Sequence, residues 1–259
     1  MKTTIVTLSL LIISSFGLHA QGLRNVKHNS FAPGEVLKFR IHYGFIDAGE
    51  ATLEVNKEMK KIGGRSCYNV VGKGKSVGAF DWFFKVRDHY ESYIDAQSML
   101  PWLFIRKIDE GGYKKNQNVS FNHYKNSVKC EEGEFNVPDN VQDLISAFYY
   151  ARTLDMTSAS KGTIFEIEAF LDDEIIPLHI KYVGTEKVKT KLGYINCIVL
   201  KPMLVEGRVF KEKEDMTIWV SNDANKIPVR VQTNILVGSI KMDLVSYSGL
   251  ANPIAFAKK

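Results

Sequence analysis

The chain has 259 residues and a formal net charge of +5, and its basic and acidic residues are interleaved along the sequence. A nucleic-acid-binding protein needs cations clustered on one face, so this mild and mixed charge excludes nucleic acid as a partner. The length is sufficient for one β domain with a sizeable hydrophobic core.

The N-terminus has the pattern of a secretory signal. Lys2 gives a basic start, residues 5–16 are almost all apolar, and Ala20 is a small residue before Gln21. An apolar run of this length is too short for a permanent membrane span, although an uncleaved anchor is the alternative. We expect a signal peptide over residues 1–20 and a single periplasmic domain over residues 21–259, with no transmembrane helix after cleavage.

Alternating apolar and polar residues predict strands through the first half of the chain. The clearest strand covers residues 37–43, and residues 51–55 follow it after a glycine turn as the second strand of a hairpin. Further strands are predicted over residues 67–71, 88–94, 101–108 and 113–121.

One convincing helix is predicted over residues 139–153. Asp139 followed three residues later by Gln142 resembles a capping box. Apolar residues from Val141 to Phe148 then recur at helical spacing. This apolar stripe must pack on another element, and a sheet face is the expected partner.

The second half of the chain returns to strand patterns. The predicted strands cover residues 163–171, 176–182, 195–200, 216–220, 228–232 and 240–245, the last three forming a meander. We therefore predict a mainly β fold: a curved antiparallel sheet, or unclosed β-barrel, of roughly ten to thirteen strands with one main α-helix packed on its concave face.

Three cysteines stand far apart, at Cys67, Cys130 and Cys197, and have no metal-ligand spacing. Cys67 and Cys197 lie in apolar strand contexts, where a cysteine usually behaves as a small buried hydrophobic residue. A disulfide between two of the three is the alternative. The histidines also lack paired spacing, so the sequence predicts neither a metal site nor a cofactor.

Residues 74–78 match the G-x-S-x-G pattern in which a serine nucleophile sits on a sharp strand-to-helix turn. No alternation of strands and helices surrounds this pattern, and no base is placed near Ser76 by any spacing. We interpret the segment as a turn. A hydrolase that uses Ser76 is the enzymatic alternative.

Residues 80–84 contain four aromatic side chains in five positions. Neither a strand nor a helix can direct all four to one core, so either protein covers both sides or one side lines an apolar cavity or contact site. We favour the covered arrangement. The candidate ligand-binding residues, each also a candidate core residue, are Phe39, Tyr43, Phe83, Phe84, Trp102 and Trp219.

Several segments resemble a family of exported bacterial proteins, domain of unknown function 3108. They are the opening residues 31–37, residues 193–197, residues 207–210 and the closing residues 218–240. The resemblance extends over nearly the whole mature chain. It implies an envelope protein of Gram-negative Bacteroidetes, without an established activity.

The closing meander is also similar to the periplasmic lipoprotein carriers and their outer-membrane receptors. Those proteins are curved, unclosed barrels whose helices plug an apolar cavity that holds acyl chains. This similarity suggests a fold and does not transfer a ligand. We expect a non-enzymatic envelope protein that binds a lipid, acyl chain or lipoprotein. The alternative is a protein-interaction or structural module on the periplasmic side of the outer membrane.

Overall fold

The computed structural model describes residues 22–203, 216–235 and 238–258. The predicted signal peptide at residues 1–20 and the family-like segment 207–210 lie outside the described residues. Within the described part of the chain, neither helix has the length and apolar character needed to cross a membrane.

The described residues form fifteen strands and two helices. In chain order these are β1 Val36–Tyr43, β2 Ile46–Val55, β3 Lys60–Ile62, β4 Arg65–Ser76, α1 Gly78–Phe83, β5 Arg87–Asp95, β6 Pro101–Glu110, β7 Tyr113–Asn122, β8 Ser127–Cys130, β9 Gly133–Asn136, α2 Leu144–Ala151, β10 Ile164–Leu171, β11 Glu174–Thr190, β12 Gly193–Met203, β13 Met216–Ser221, β14 Pro228–Asn234 and β15 Ser239–Ser248.

The strands build one antiparallel sheet in the order β10-β11-β12-β13-β14-β15-β1-β2-β4-β5-β6-β7-β8-β9, with β3 paired to β4. The pairing of β15 with β1 joins the C-terminal meander to the N-terminal hairpin. The two end strands, β10 and β9, share no ladder in the described residues, so the sheet curves without closing. The predicted mainly β, unclosed-barrel fold is confirmed.

The structure has more strands than the predicted ten to thirteen. The additional ones include β3, β8 and β9, which have three or four residues each. Segments this short do not establish an apolar/polar alternation that can be recognised in sequence.

The predicted helix at 139–153 is too long and its predicted cap is wrong. Residue Asp143 is the N-cap: Ser146 N donates to Asp143 Oδ1 at 2.7 Å, and Asp143 N donates to Ser146 Oγ at 2.8 Å. Gln142 is extended and forms a parallel bridge with Ala169 of β10. The residue before Asp143 therefore pairs with the edge of the sheet instead of joining the helix, although the apolar spacing there is helical.

Helix α2 lies inside the curved sheet. It packs on β10, the first strand in the order, and on β5, nine places further along. A Cβ atom at Gly72 of β4 would lie 3.3 Å from Ile145 Cδ1 of α2, so this glycine lets the helix approach the sheet closely. The predicted position on the concave face is confirmed.

The end of α2 is fixed by a buried ion pair. Arg152 Nη1 and Nη2 donate to Glu35 Oε1 and Oε2 at 2.6 and 2.7 Å. Arg152 also donates to the carbonyl oxygens of Ser30 and Asn225 at 2.9 and 2.8 Å. One side chain thus joins the end of α2 to the N-terminal segment, to the residue directly before β1 and to the turn between β13 and β14. Burial would lower the pKa of Arg152, but its hydrogen bonds with Glu35 outweigh this and raise it.

The cap of α2 predicts a specific pH dependence of stability. Burial raises the pKa of Asp143 from 3.8 to about 6, while hydrogen bonds from Ser92 and Ser146 oppose the shift. The folded protein therefore holds this proton more tightly than the unfolded chain does. As pH rises from about 4 to about 6, Asp143 should reduce the free energy of unfolding by up to roughly 3 kcal/mol.

Asp143→Asn keeps an acceptor for the helix N-terminus and cannot ionise, so it should remove this contribution. Urea unfolding at several pH values measures the difference in stability between variant and parent. The free energy of unfolding of the variant should rise relative to that of the parent as pH increases from about 4 to about 6. Asp139→Asn, at an exposed carboxyl nearby, is the control. A parent–variant difference that is constant with pH would contradict the assignment.

Candidate functional site

The antiparallel order brings alternate turns to the same end of the sheet. We call this end the rim and define it by residues 44–45, 77–86, 111–112, 235 and 238, which follow β1, β4, β6 and β14. These turns are far apart in sequence. They are neighbours in space because their strands follow one another in the sheet.

Large apolar side chains are concentrated and exposed at the rim and the adjoining strand ends. Phe45 is 101% exposed, Trp82 82% and Phe83 76%. The other exposed apolar side chains here are Ile46, Phe80, Phe84, Tyr113, Ile235 and Ile240. Single exposed hydrophobic residues are ordinary on a protein surface, but a contiguous group of this kind marks an interaction site.

An apolar groove of about 540 Å³ opens at the rim. Phe80 and Phe84 of the α1 segment form one side of it. The rest of the lining comes from β1, β2, β4, β5 and β15 and from residues that adjoin them, and its apolar side chains are Ile41, Tyr43, Ala48, Val86, Ile235 and Ile240. The polar lining residues include Lys75, Ser76 and Asp88.

The groove lies on the same face of the sheet as α2. Gly72 faces α2, and Gly74 and Ser76 follow it along β4 at two-residue spacing, so all three face the same side. Gly74 and Ser76 line the groove. The groove is therefore the mouth of the unclosed barrel, with α2 deeper inside and α1 at the entrance.

Ser76 holds the α1 segment in place. Its Oγ donates to Asp81 Oδ1 at 2.6 Å and accepts from Val86 N at 2.8 Å. Arg87 Nη1 also donates to Asp81 Oδ1 at 2.6 Å, and this bond, with that from Ser76, lowers the pKa of Asp81 to about 2. Among the described residues, no histidine is hydrogen-bonded to Ser76.

The interpretation of residues 80–84 as covered on both sides is wrong. Helix α1 has six residues and ends at Phe83, and none of them is buried; Phe84, which follows it, is also exposed. These aromatic side chains radiate from a single turn, so only some of them can face the groove. Phe84 is in contact with the neighbouring β6–β7 turn, whereas Trp82 and Phe83 pack edge to face with ring centroids 4.7 Å apart.

The six candidate ligand-binding residues do not all converge. Tyr43 and Phe84 line the groove, and Phe83 lies exposed beside it. Phe39 is in the hydrophobic core with Leu37, Ile227 and Leu244.

The two tryptophans of that set lie elsewhere and have their own partners. Trp102 Nε1 donates to Asp95 Oδ2 at 3.1 Å, and Trp219 Nε1 donates to Glu186 Oε2 at 2.8 Å. Sequence reasoning missed Ile41, Ala48, Ile235 and Ile240, because ordinary strand residues carry no signal of which turns meet at the rim.

The three cysteines are buried and free, as the packing interpretation predicted. Burial raises the pKa of the Cys67 and Cys130 thiols to about 11 and that of Cys197 to about 12. The thiols are therefore protonated at neutral pH in the absence of a ligand.

Two adjacent glycines in the β6–β7 turn allow a matched test of the groove wall. Both have positive φ, +58° at Gly111 and +96° at Gly112. A Cβ at Gly111 would lie 2.2 Å from Phe84 Cε2, whereas a Cβ at Gly112 would meet nothing within 4 Å. Either alanine substitution should cost about 1 to 3 kcal/mol of stability through backbone strain.

Only Gly111→Ala should displace the Phe84 ring. We expect it to weaken binding of a ligand in the groove about tenfold, the effect of losing one well-packed apolar contact. Gly112→Ala should leave the affinity unchanged. Fluorescence titration of both variants with an apolar probe makes the comparison, and equal affinities would show that Phe84 is not part of the binding wall.

Comparisons with solved structures show the same kind of fold. A β-barrel-like protein of domain of unknown function DUF1849 from Brucella abortus matches with a TM-score of 0.54 at 10% identity, over 87% of this chain and 98% of that chain. This similarity supports the fold alone.

Two further structures have lower TM-scores. A candidate lipoprotein from Parabacteroides distasonis gives 0.41 at 12% identity, over 87% of this chain and 99% of its own. A candidate exported protein with a YmcC-like fold from Bacteroides fragilis gives 0.33 at 11% identity, over the same shares.

No curated protein matches the sequence significantly. A family model does match, and it extends from β1 to β15 over residues 38–245. The chain belongs to the family described as proteins of unknown function DUF3108.

Proposed function

We propose that this protein is a non-enzymatic cell-envelope protein that binds the acyl chain of a lipid or lipoprotein in the groove at the rim. The observation that carries the proposal is the apolar groove at the mouth of the barrel, with Phe80 and Phe84 on one side. Its volume of about 540 Å³ is within the range of about 300 to 1,000 Å³ that is typical of small-molecule sites.

The chemistry of the lining supports an amphipathic ligand. Apolar walls favour a hydrocarbon chain because binding removes the apolar surface of the chain and that of the groove from water. Lys75 and Asp88 are among the few charged residues of the lining, and Lys75 Nζ forms a pair with Glu50 at 3.1 Å. Lys75 lies between Gly74 and Ser76 on β4, so its side chain and Glu50 are on the opposite face of the sheet. Asp88 is paired with Gly74 and shares its face, so the Asp88 carboxylate can orient a polar head group while the chain occupies the apolar part.

The aromatic side chains outside the groove support contact with a larger surface. Phe45, Trp82 and Phe83 do not line the groove, yet they are the most exposed aromatics of the rim. Aromatic rings of this kind are favourable at membrane interfaces. A rim resting on a membrane would let an acyl chain enter the groove without crossing water.

The second candidate function is docking to a partner protein of the outer membrane. The same three outward-facing aromatics favour it, because exposed aromatic residues are frequent anchors in protein interfaces. The two functions differ in their response to free fatty acid, since only the acyl-chain site must bind it.

A periplasmic location is part of the proposal, and it is supported by the signal-like pattern of residues 1–20. The enzymatic alternative has less support. The hydroxyl of Ser76 already donates to Asp81 and accepts from Val86, which leaves it tied to the α1 segment.

The direct test is titration of the purified chain, residues 21–259, with a fluorescent fatty acid. We expect saturable binding at one molecule per chain, reversed by an unlabelled fatty acid. Absence of saturable binding would remove the acyl-chain function and leave partner docking as the better candidate.

A further inference from the structure

A cluster of metal-binding atoms lies where the two ends of the open sheet meet. Cys130 ends β8, Glu132 lies in the β8–β9 turn and Asp173 lies in the β10–β11 turn. The Cys130 sulfur and one carboxylate oxygen from each of the acids all lie within 4.8 Å of one another. These residues come from opposite ends of the strand order.

A buried amide also faces this cluster. Gln117 of β7 is 2% exposed, and its Nε2 donates to Asp173 Oδ1 at 3.1 Å. Its Oε1 is buried and has no hydrogen-bond partner, which costs about 1 to 3 kcal/mol. A half-turn of the amide would place this oxygen where Nε2 now lies, beside the carboxylate, where a cation between the two oxygens would make the arrangement favourable.

We propose that Cys130, Glu132, Asp173 and the rotated amide of Gln117 form a Zn²⁺ site. Zinc accepts one sulfur with oxygen ligands in a tetrahedron, and with bonds of about 2.3 and 2.0 Å the ligand atoms lie roughly 3.5 Å apart. Cys130 Sγ and Asp173 Oδ1 are 3.3 Å apart, close to that separation. Binding releases the thiol proton to solvent, and the thiolate takes its place as a ligand.

Neighbouring charges are compatible with a bound cation. Arg106 Nη2 and Lys115 Nζ both bind Asp172 Oδ1, at 2.6 and 2.7 Å, so these two cations are engaged by the adjacent carboxylate. Asp173 Oδ1 accepts from Gln117 Nε2 and from the Cys130 thiol, and both bonds end when the amide rotates and the thiol loses its proton, which frees this oxygen for the metal. The two carboxylates and the thiolate of the site together exceed the charge of Zn²⁺ by a single negative charge, which Arg106 and Lys115 can balance.

The consequence for the fold is a bridge across the opening of the barrel. End strands β9 and β10 are in contact through the rings of Phe135 and Phe170, whose centroids are 5.4 Å apart, without a backbone ladder. A metal held by β7, β8, the β8–β9 turn and the β10–β11 turn would fix this seam. The ligand spacing could not show this in sequence because only Cys130 and Glu132 are neighbours, whereas Gln117 and Asp173 belong to two other segments.

Cobalt(II) is the probe for the test, because a cobalt–thiolate bond gives an ultraviolet charge-transfer band. Reduced, chelator-treated chain 21–259 should bind one equivalent of Co²⁺ with this band. Cys130→Ser should lose the band, and Cys197→Ala, at another buried free cysteine, should keep it. Zinc at about a hundred times its dissociation constant should raise Tm by about 5 to 10 °C.

Glu132→Gln provides a second variant at an exposed position, where folding is not at risk. It should weaken cobalt and zinc binding at least about tenfold, with Tm of the metal-free chain unchanged. Absence of the charge-transfer band, or a band of equal strength in Cys130→Ser, would overturn the proposal.

Discussion

Replacing Arg152 by Met is expected to lower the free energy of unfolding by about 3 to 5 kcal/mol, because the buried Glu35 carboxylate loses its only ion-pair partner among the described residues. The carbonyls of Ser30 and Asn225 lose their donors at the same time. Total stabilities of domains are about 5 to 15 kcal/mol, so the loss is large. Urea unfolding followed by circular dichroism at neutral pH measures it.

Arg230→Met is the matched control. Arg230 also forms a bidentate ion pair, with Asp243, but both of these side chains are more than one-fifth exposed. Its loss should be about 1 kcal/mol or less. Adding Glu35→Gln to Arg152→Met should recover part of the larger loss, since no unpaired charge remains buried. Equal losses for the two arginines would contradict the central role of the buried pair.

The double variant Phe80→Ala/Phe84→Ala is expected to weaken binding of a fluorescent fatty acid about a hundredfold. Each ring forms part of one side of the groove, and each loss of apolar contact of about 1.4 kcal/mol changes affinity tenfold. Both side chains are partly exposed, so the free protein should keep its stability. Fluorescence titration and thermal unfolding separate the two effects.

Two controls locate the effect. Tyr124→Ala changes an aromatic residue of comparable exposure, 63%, in the turn between β7 and β8 at the opposite end of the sheet, and it should leave affinity unchanged. Trp82→Ala/Phe83→Ala should leave free fatty acid binding intact but reduce binding to lipid vesicles. Equal losses of fatty acid affinity in Tyr124→Ala and in the groove variant would exclude a specific site at the rim.

Much of the fold could be predicted because strand alternation is a local property. β1 and the closing meander follow directly from residues 37–43 and 216–245, where apolar residues alternate with polar ones. The helix was predicted with bounds that are too wide, because Val141 satisfies helical spacing and Gln142 fits a capping box, while Gln142 in fact pairs with the edge strand β10. Whether this segment is helical or extended depends on its pairing with β10, which is distant in sequence.

The candidate site could be predicted only in part. Tyr43 and Phe84 were identified as aromatic candidates, and they line the groove. Ile235 and Ile240 reach it only because β15 pairs with β1, which local patterns do not reveal. The exposure of residues 80–84 likewise depends on the position of α1 at the rim, where no element of the described part of the chain buries it.

Native mass spectrometry of the protein isolated from its own envelope is the most direct test of acyl-chain binding at the rim. The sample is analysed for bound mass and then extracted for lipid. We predict one lipid or fatty acid per chain in the parent protein and a strongly reduced fraction of loaded chains in Phe80→Ala/Phe84→Ala. A ligand-free parent chain that also fails to take up a fluorescent fatty acid would contradict the proposed function.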